Sequence, residues 1–413
     1  AQGRLRSLHV HKILYEAMRS YAWRGLHWIA LWHVAEALRT RSKLRQAPRP
    51  DQARNATASF WREERLDEEG LALLDHQFMR FGGPDLHKDT AAEDIDAWLR
   101  MSNQHQTLAE NMYDPALVSL QDALEKVGAV TRIVDKSSDD ALLAGVRAAT
   151  AKGGRPLLVD VGTRFGGRDS KDLVRACRDA GAYVVLYSTE AGDAPRISEY
   201  ATTLGAHEVW EYAMYNIDGY SEDFKSKIPV RYMPPGYSPQ LDVQVDLKSK
   251  KRRLRSVGFL GSIGARPPST IGAYDAALGR GRIVPSEAVW TNETLRQYLS
   301  QFPLQLNMHK HQTCCPHDPR EVVAMEAFRM APLLTNGACV VSTPVPEKDR
   351  GLWEGIVRFA EVNETKLALR RIGKKVLDCQ LQAGQLYKER FDPERLLRAS
   401  GFLDLWRPRR PKI

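Results

Sequence analysis

From about residue 116 onward the sequence alternates short apolar, β-branched runs with amphipathic helical stretches, and this constrains the fold more than any other feature. The runs VTRIV (130–134), PLLVDVG (156–162) and AYVVLYS (182–188) are separated by stretches with helical spacing at 117–127, 139–150 and 171–180. VWEYAM (209–214) and VRYMPPGY (230–237) close the series. A second series follows: SVGFLGSIG (256–264), FPLQLNMHK (302–310), a helix over 322–334, ACVVST (338–343), a mostly helical stretch over 363–391 and a last helical piece at 393–405. Strands alternating with helices make a parallel sheet covered on both faces, and ligands on such sheets bind beyond the carboxyl ends of the strands. Two such α/β domains in tandem, doubly wound and joined near 238–255, are therefore expected.

The first hundred residues read differently. Leu5, Leu8, Ile13, Leu14, Met18, Tyr21, Leu26, Ile29, Leu31 and Val34 recur at near-helical spacing, 41–59 is a polar linker with two prolines, and a second helix runs over 60–81 until Gly82-Gly83-Pro84 stops it. A third helical stretch is expected around Ile95 and Trp98. The domain plan is a helical stem over 1–100, a first α/β domain over 101–240, a second over 241–390, and a crossover helix with a basic tail over 391–413. A 413-residue chain is long enough to bury a core in each α/β domain. No run reaches the ~18 apolar residues of a membrane span; HWIALWHV (27–34) is too short.

The formal charge of +9 is unevenly spread. Residues 1–50 hold ten Lys/Arg against two Glu, so the rest of the chain is close to neutral. A global basic field for nucleic acid is absent, and nucleic acid is not expected as a partner. The run KSKKRRLR (248–255) reads as solvated surface or linker, or as a nuclear address. Five cysteines, Cys177, Cys314, Cys315, Cys339 and Cys379, show no CxxC, and Cys314-Cys315 with His317 lacks a second half-site for zinc. Disulfides stay open as a reading. Three Asn-x-Thr sequons, at Asn55, Asn292 and Asn363, tilt the reading towards a glycoprotein of the ER or Golgi lumen. The chain begins at Ala1, as expected if a signal or membrane anchor upstream has been removed.

Chemistry-bearing residues concentrate after the strands. In GFLGSIGAR (258–266), Gly261 and Ser262 let backbone N–H groups approach an anion, and Arg266 offers a planar fork for a diphosphate. LNMHKH (306–311) places Asn307, His309 and Lys310 just past a strand. In EAFRMAPLLTNG (326–337), Glu326 and Arg329 share one side of a helix that Gly337 stops; the plainer reading of that pair is an intrahelical ion pair. In the first domain, Asp160 and Glu190 end strands facing the crevice and are the candidate bases for an acceptor hydroxyl. Glu211 and Tyr212 line the acceptor side or pack. The chain has no GKS/GKT phosphate loop, no strand followed by GxGxxG, no GxSxG and no HExxH, which removes the main support for kinase, dehydrogenase, α/β-hydrolase and zinc-protease readings.

Together with EVWEYAMYNID (208–218) and VRYMPPGYSP (230–239), these motifs resemble GT-B glycosyltransferases, specifically CgeB-like and family-one- and family-four-like nucleotide-sugar enzymes, across about 128–405. The resemblance implies an α/β GT-B fold of two Rossmann-like domains facing a cleft, with the closing helix crossing back to the first. It implies a nucleoside-diphosphate sugar held by the second domain and a carbohydrate or glycoconjugate acceptor by the first, with Glu326 on ribose or sugar hydroxyls. The second acid of the family pattern, eight positions before Glu326, falls at Asp318, an aspartate in place of the usual glutamate. With no DxD motif in strand context, no essential divalent ion and no other cofactor is expected. The rival reading is a non-catalytic carbohydrate- or nucleotide-binding protein on the same fold.

Overall fold

The computed structural model describes residues 90–101, 114–134, 138–162, 168–189, 192, 194–249, 252–261, 263, 266, 268–286, 292–309 and 324–409. All belong to one compact unit, Leu74–Ile413. The helices expected at 5–40 and 60–81 and the linker between them lie outside the described residues.

The stretch holding Ile95 and Trp98 is not helical. Ala97–Met101 is strand β1, with all five residues buried. Ala97, Leu99 and Met101 face one core and Trp98 the other, so the strand is covered on both faces. The charge that disguised it, Arg100, is fully buried. Its guanidinium donates to both carboxylate oxygens of Asp139 at 2.8 and 2.9 Å and to Asp160 at 2.8 Å. A buried cation survives only with such partners, and they stand 39 and 60 residues away.

Around β1 the first sheet adds β2 (Thr131–Val134), β3 (Leu157–Val161), β4 (Tyr183–Ser188), β5 (Glu208–Glu211) and β6 (Val230–Tyr232). Its order is β2-β1-β3-β4-β5-β6, with every pair parallel. The connecting helices are α1 (Asp114–Lys126), α2 (Asp139–Ala151), α3 (Arg168–Asp179), α4 (Ala194–Leu204), α5 (Met214–Ile217) and α6 (Glu222–Lys227).

The second sheet comprises β7 (Val257–Phe259), β8 (Ile283–Pro285), β9 (Leu304–Asn307), β10 (Cys339–Ser342) and β11 (Arg358–Phe359), ordered β11-β10-β9-β7-β8 and again parallel. Its helices are α7 (Pro268–Leu278), α8 (Asn292–Gln301), α9 (Ala327–Thr335), α10 (Glu347–Trp353), α11 (Thr365–Gly373), α12 (Val376–Arg390) and α13 (Pro393–Ala399). In each sheet the first strand lies between the second and the third. The crevice of a doubly wound sheet opens where the winding reverses, here between β1 and β3 and between β7 and β9.

Local chemistry fixes the ends of these elements. Gly337 adopts φ +67° directly after α9, the left-handed conformation that ends a helix and that glycine adopts without Cβ strain. Asp392 caps α13 by accepting from the Arg395 amide at 2.8 Å, with Pro393 pre-set at the first helical position. Helix α13 packs on α1 of the first sheet. Beyond it, Trp406 donates to the Arg155 carbonyl at 2.8 Å and Arg409 pairs with Asp96 at 2.7 Å. The chain thus crosses back after its second sheet. One aromatic core joins the halves, with Phe328 of α9 6.1 Å from Tyr187 and 5.1 Å from Tyr212 between ring centroids. Cys339 of β10 is joined to Cys379 of α12 by a disulfide.

Candidate functional site

The crevice of the second sheet is built by three consecutive connections. Strand β7 delivers Phe259 and then Gly261, whose φ of +146° suits glycine; a Cβ there would lie 3.3 Å from the Phe259 ring and 3.8 Å from Arg329 Nη2. The Gly261 amide donates to Ser286 Oγ, just past β8, at 3.2 Å. Arg266 folds back over Phe259, its guanidinium carbon 4.9 Å from the ring centroid, and its Nε donates to the Met308 carbonyl at 3.2 Å. Arg329, on the first turn of α9, also lies 4.9 Å from that centroid. Two guanidiniums therefore share one buried aromatic ring, each gaining from its π-system while repelling the other.

Glu326, immediately before α9, balances part of that charge. Its carboxylate pairs with Arg329 Nη2 at 2.5 Å and stands 3.8 Å from Arg266 Nη2. The intrahelical ion pair expected as the plainer reading is thus present, and it is also tied to Arg266. Asn307, the last residue of β9, is buried and holds Arg329 from below: its Oδ1 accepts from Nη1 at 2.6 Å while its Nδ2 donates to Ser342 Oγ at 2.9 Å. With its amide used inward, Asn307 acts on any ligand through Arg329.

His309 completes the cluster two residues beyond β9. Both ring nitrogens are buried without a hydrogen-bond partner among the described residues; the Thr343 backbone approaches the ring without completing a bond. Burial pushes its imidazole down to about 4, with Glu326 opposing, so the ring is neutral at physiological pH. Burial also lowers the Arg329 guanidinium from its ordinary value, with Glu326 opposing. The site is then two cations, one carboxylate and one uncharged imidazole whose ring nitrogens have no hydrogen-bond partner among the described residues, at the end of the sheet where ligands bind.

Six of the eight residues expected to hold a nucleotide sugar come together here: Gly261, Arg266, Asn307, His309, Glu326 and Arg329. Ser262 and Lys310 lie outside the described residues, as do His317 and Asp318. Of the two expected bases, Asp160 is described and stands on the first sheet. Asp160 is 1% exposed in β3, and its Oδ1 is taken by Arg100. Burial raises its carboxyl above the usual range, with Arg100 opposing. It stands beside Arg100 and Asp139, between β1 and β3, where the winding of the first sheet reverses. Glu190 lies outside the described residues. Glu211 and Tyr212 pack: Glu211 is buried and accepts from Asn216 at 2.9 Å and from the Tyr220 hydroxyl, and Tyr212 lies against Phe328.

Two features were not read from sequence. Phe259 reads as an ordinary core residue until both arginines are seen to lie against it. Asp349 of α10 is 1% exposed, and its Oδ1 accepts from the Met214 and Tyr215 amides of α5 at 2.8 and 3.4 Å. Burial raises its carboxyl, with those amides opposing. It joins the connection after β10 to the first sheet, and only tertiary packing reveals it.

No protein-family model and no curated protein matches the chain. Among solved structures, a sucrose-phosphate synthase from Thermosynechococcus elongatus aligns at 12% identity and TM-score 0.44, covering 75% of this chain and 98% of that one. T4 phage BGT, in complex with its UDP-glucose substrate, aligns at 10% and 0.43, covering 73% and 97%. An E. coli trehalose-6-phosphate protein bound with UDP-2-fluoro glucose aligns at 10% and 0.39, covering 76% and 100%. The fold assignment rests on the sheets themselves: two parallel, doubly wound α/β halves, with the chain returning to the first after the second, are the GT-B architecture.

Proposed function

We propose that the protein is a glycosyltransferase that moves a sugar from a nucleoside-diphosphate sugar to a hydroxyl of a carbohydrate or glycoconjugate acceptor. The carrying observation is the pair of guanidiniums, Arg266 and Arg329, set against Phe259 at the β7/β9 crevice beside a neutral His309 whose ring nitrogens have no hydrogen-bond partner among the described residues. A diphosphate leaving group gains negative charge as the anomeric C–O bond breaks, and preorganised guanidiniums in a water-poor site stabilise that charge. Glu326 and Asn307 hold Arg329 in place, and the His309 nitrogens offer hydrogen bonds to a polar ligand. We propose further that these cations neutralise the diphosphate without an essential divalent ion.

As the donor bond breaks, a new C–O bond forms to the acceptor oxygen, whose proton must go to a base or to the departing diphosphate. With Asp160 held by Arg100, Glu190 is the first-half carboxylate we assign to that proton if configuration inverts. The burial of Asp160 also favours the rival reading of a binding protein without turnover. The Cys339–Cys379 disulfide and the exposure of Asn292 and Asn363 support an oxidising compartment.

The test is a thermal-shift panel of UDP, GDP, ADP and CMP with their sugar conjugates, with and without EDTA. A ligand at about 100 times its dissociation constant adds about 2.7 kcal/mol of stability. One nucleotide raising the melt regardless of EDTA is expected. A flat panel overturns the donor site, and binding without release of nucleoside diphosphate in the presence of acceptors selects the rival.

A further inference from the structure

The described portion of the basic run at 248–255 lies at the end of the second sheet opposite the crevice. Arg253 donates its amide to the Gln301 carbonyl at 2.7 Å, just ahead of β9, and its guanidinium lies 5.6 Å from the Phe302 ring. Arg282, directly before β8, donates to the Arg255 carbonyl at 3.0 Å, which sets the turn carrying Arg280 and Arg282 beside the run. On the other side, Gly373 approaches the Leu304 side chain at the start of β9, so Lys374 and Lys375 stand at the same end of the sheet.

Three separate segments thus bring Arg253, Arg255, Arg280, Arg282, Lys374 and Lys375 to the amino-terminal edge spanning β8, β7, β9 and β10. At about 4.8 Å per strand, that edge is about 15 Å wide. The acids nearest in sequence are Asp246, Asp275, Glu287 and Asp378, four against six cations. Arg255, Arg280, Lys374 and Lys375 are exposed and form no ion pair with the described residues. Leu254, between two arginines, is 43% exposed, one of four large hydrophobic side chains that stand out in this way among the described residues.

We propose that this edge docks peripherally on an anionic bilayer. Cations spread along one edge with an exposed leucine among them match a surface of negative headgroups over an apolar layer. The same edge offers single-stranded nucleic acid no stacking platform in Phe302, which is 3% exposed and already lies against Arg253. Docked this way, the crevice at the opposite end of the strands points away from the bilayer.

The test is co-sedimentation of the full chain with phosphatidylserine–phosphatidylcholine vesicles, compared with phosphatidylcholine alone. The variants are Arg255→Gln, Arg280→Gln, Lys374→Gln and Lys375→Gln combined, and Leu254→Ser alone, each checked for an unchanged melting temperature. The basic segment at 1–50 is common to all of them. Each cation at an anionic surface contributes roughly fivefold, so the combined variant is expected to lose on the order of a hundredfold or more in partitioning. Leu254→Ser is expected to lose severalfold, with the loss persisting at high salt. Unchanged partitioning of the combined variant, or equal partitioning on phosphatidylcholine alone, overturns the proposal. So does an unaffected Leu254→Ser together with single-stranded RNA that binds and displaces the vesicles, which would make the edge a general polyanion surface.

Discussion

Replacing Arg266 by alanine isolates the role of the guanidinium pair. Arg266 is 6% exposed, donates to the Met308 carbonyl at 3.2 Å and lies against Phe259 beside Arg329. Its removal costs the unliganded protein little, about 1 kcal/mol, because a lost hydrogen bond and ring contact are offset by relief of repulsion from Arg329. The liganded protein loses more. A charged hydrogen-bonding contact to a diphosphate is worth about 1.5–3 kcal/mol, which weakens binding by about 10- to 150-fold. At a ligand concentration about 100 times the wild-type dissociation constant, wild type gains about 2.7 kcal/mol. A variant weakened about 100-fold gains only about 0.4 kcal/mol under the same conditions. Calorimetric titration with the nucleotide selected by the panel, alongside melts with and without it, reads both quantities. Arg266→Lys keeps the charge and loses the fork, so it should fall between the two. Binding of Arg266→Ala within about threefold of wild type, less than the loss of one charged contact, refutes the assignment of this guanidinium to the diphosphate.

Asn307→Ala removes the support beneath Arg329, so nucleotide affinity should fall about tenfold by titration although Asn307 itself is turned inward. Asp160→Ala leaves Arg100 with Asp139 alone and should cost about 3 kcal/mol in a denaturant melt, with nucleotide affinity unchanged. His309 has a folded-state value of about 4, below its unfolded value of 6.5, so it contributes stability above pH 6.5 that is lost as pH falls towards 4. That contribution is about 3 kcal/mol, and His309→Gln should flatten the corresponding part of a plot of stability against pH. Glu190→Gln should abolish turnover while leaving nucleotide binding intact; unimpaired turnover removes it as the base.

Much of this architecture is legible in the sequence because parallel strands buried on both faces read as continuous apolar runs, as in PLLVDVG and AYVVLYS. Strand β1 escaped because Arg100 interrupts its run, and the carboxylates that make that charge tolerable lie far along the chain. Strand β8, only Ile283–Pro285, is too short to leave a periodic signal. The crevice residues were readable because the ends of strands carry them: Gly261 and Arg266 after β7, Asn307 and His309 at the end of β9. Their mutual arrangement was not readable. That Asn307 serves Arg329, that Phe259 lies against two guanidiniums and that Asp160 is locked to Arg100 are facts of tertiary packing between segments without a fixed spacing.

Transfer itself is read by release of nucleoside diphosphate from the donor selected by the panel, followed in EDTA with and without a mixture of glycan acceptors. A glycosyltransferase whose leaving group is held by the guanidinium pair should show release that acceptors accelerate and that Arg266→Ala reduces by about tenfold or more. Tight nucleotide binding with no release under any acceptor would rule out a transferase and leave a binding protein on the same fold.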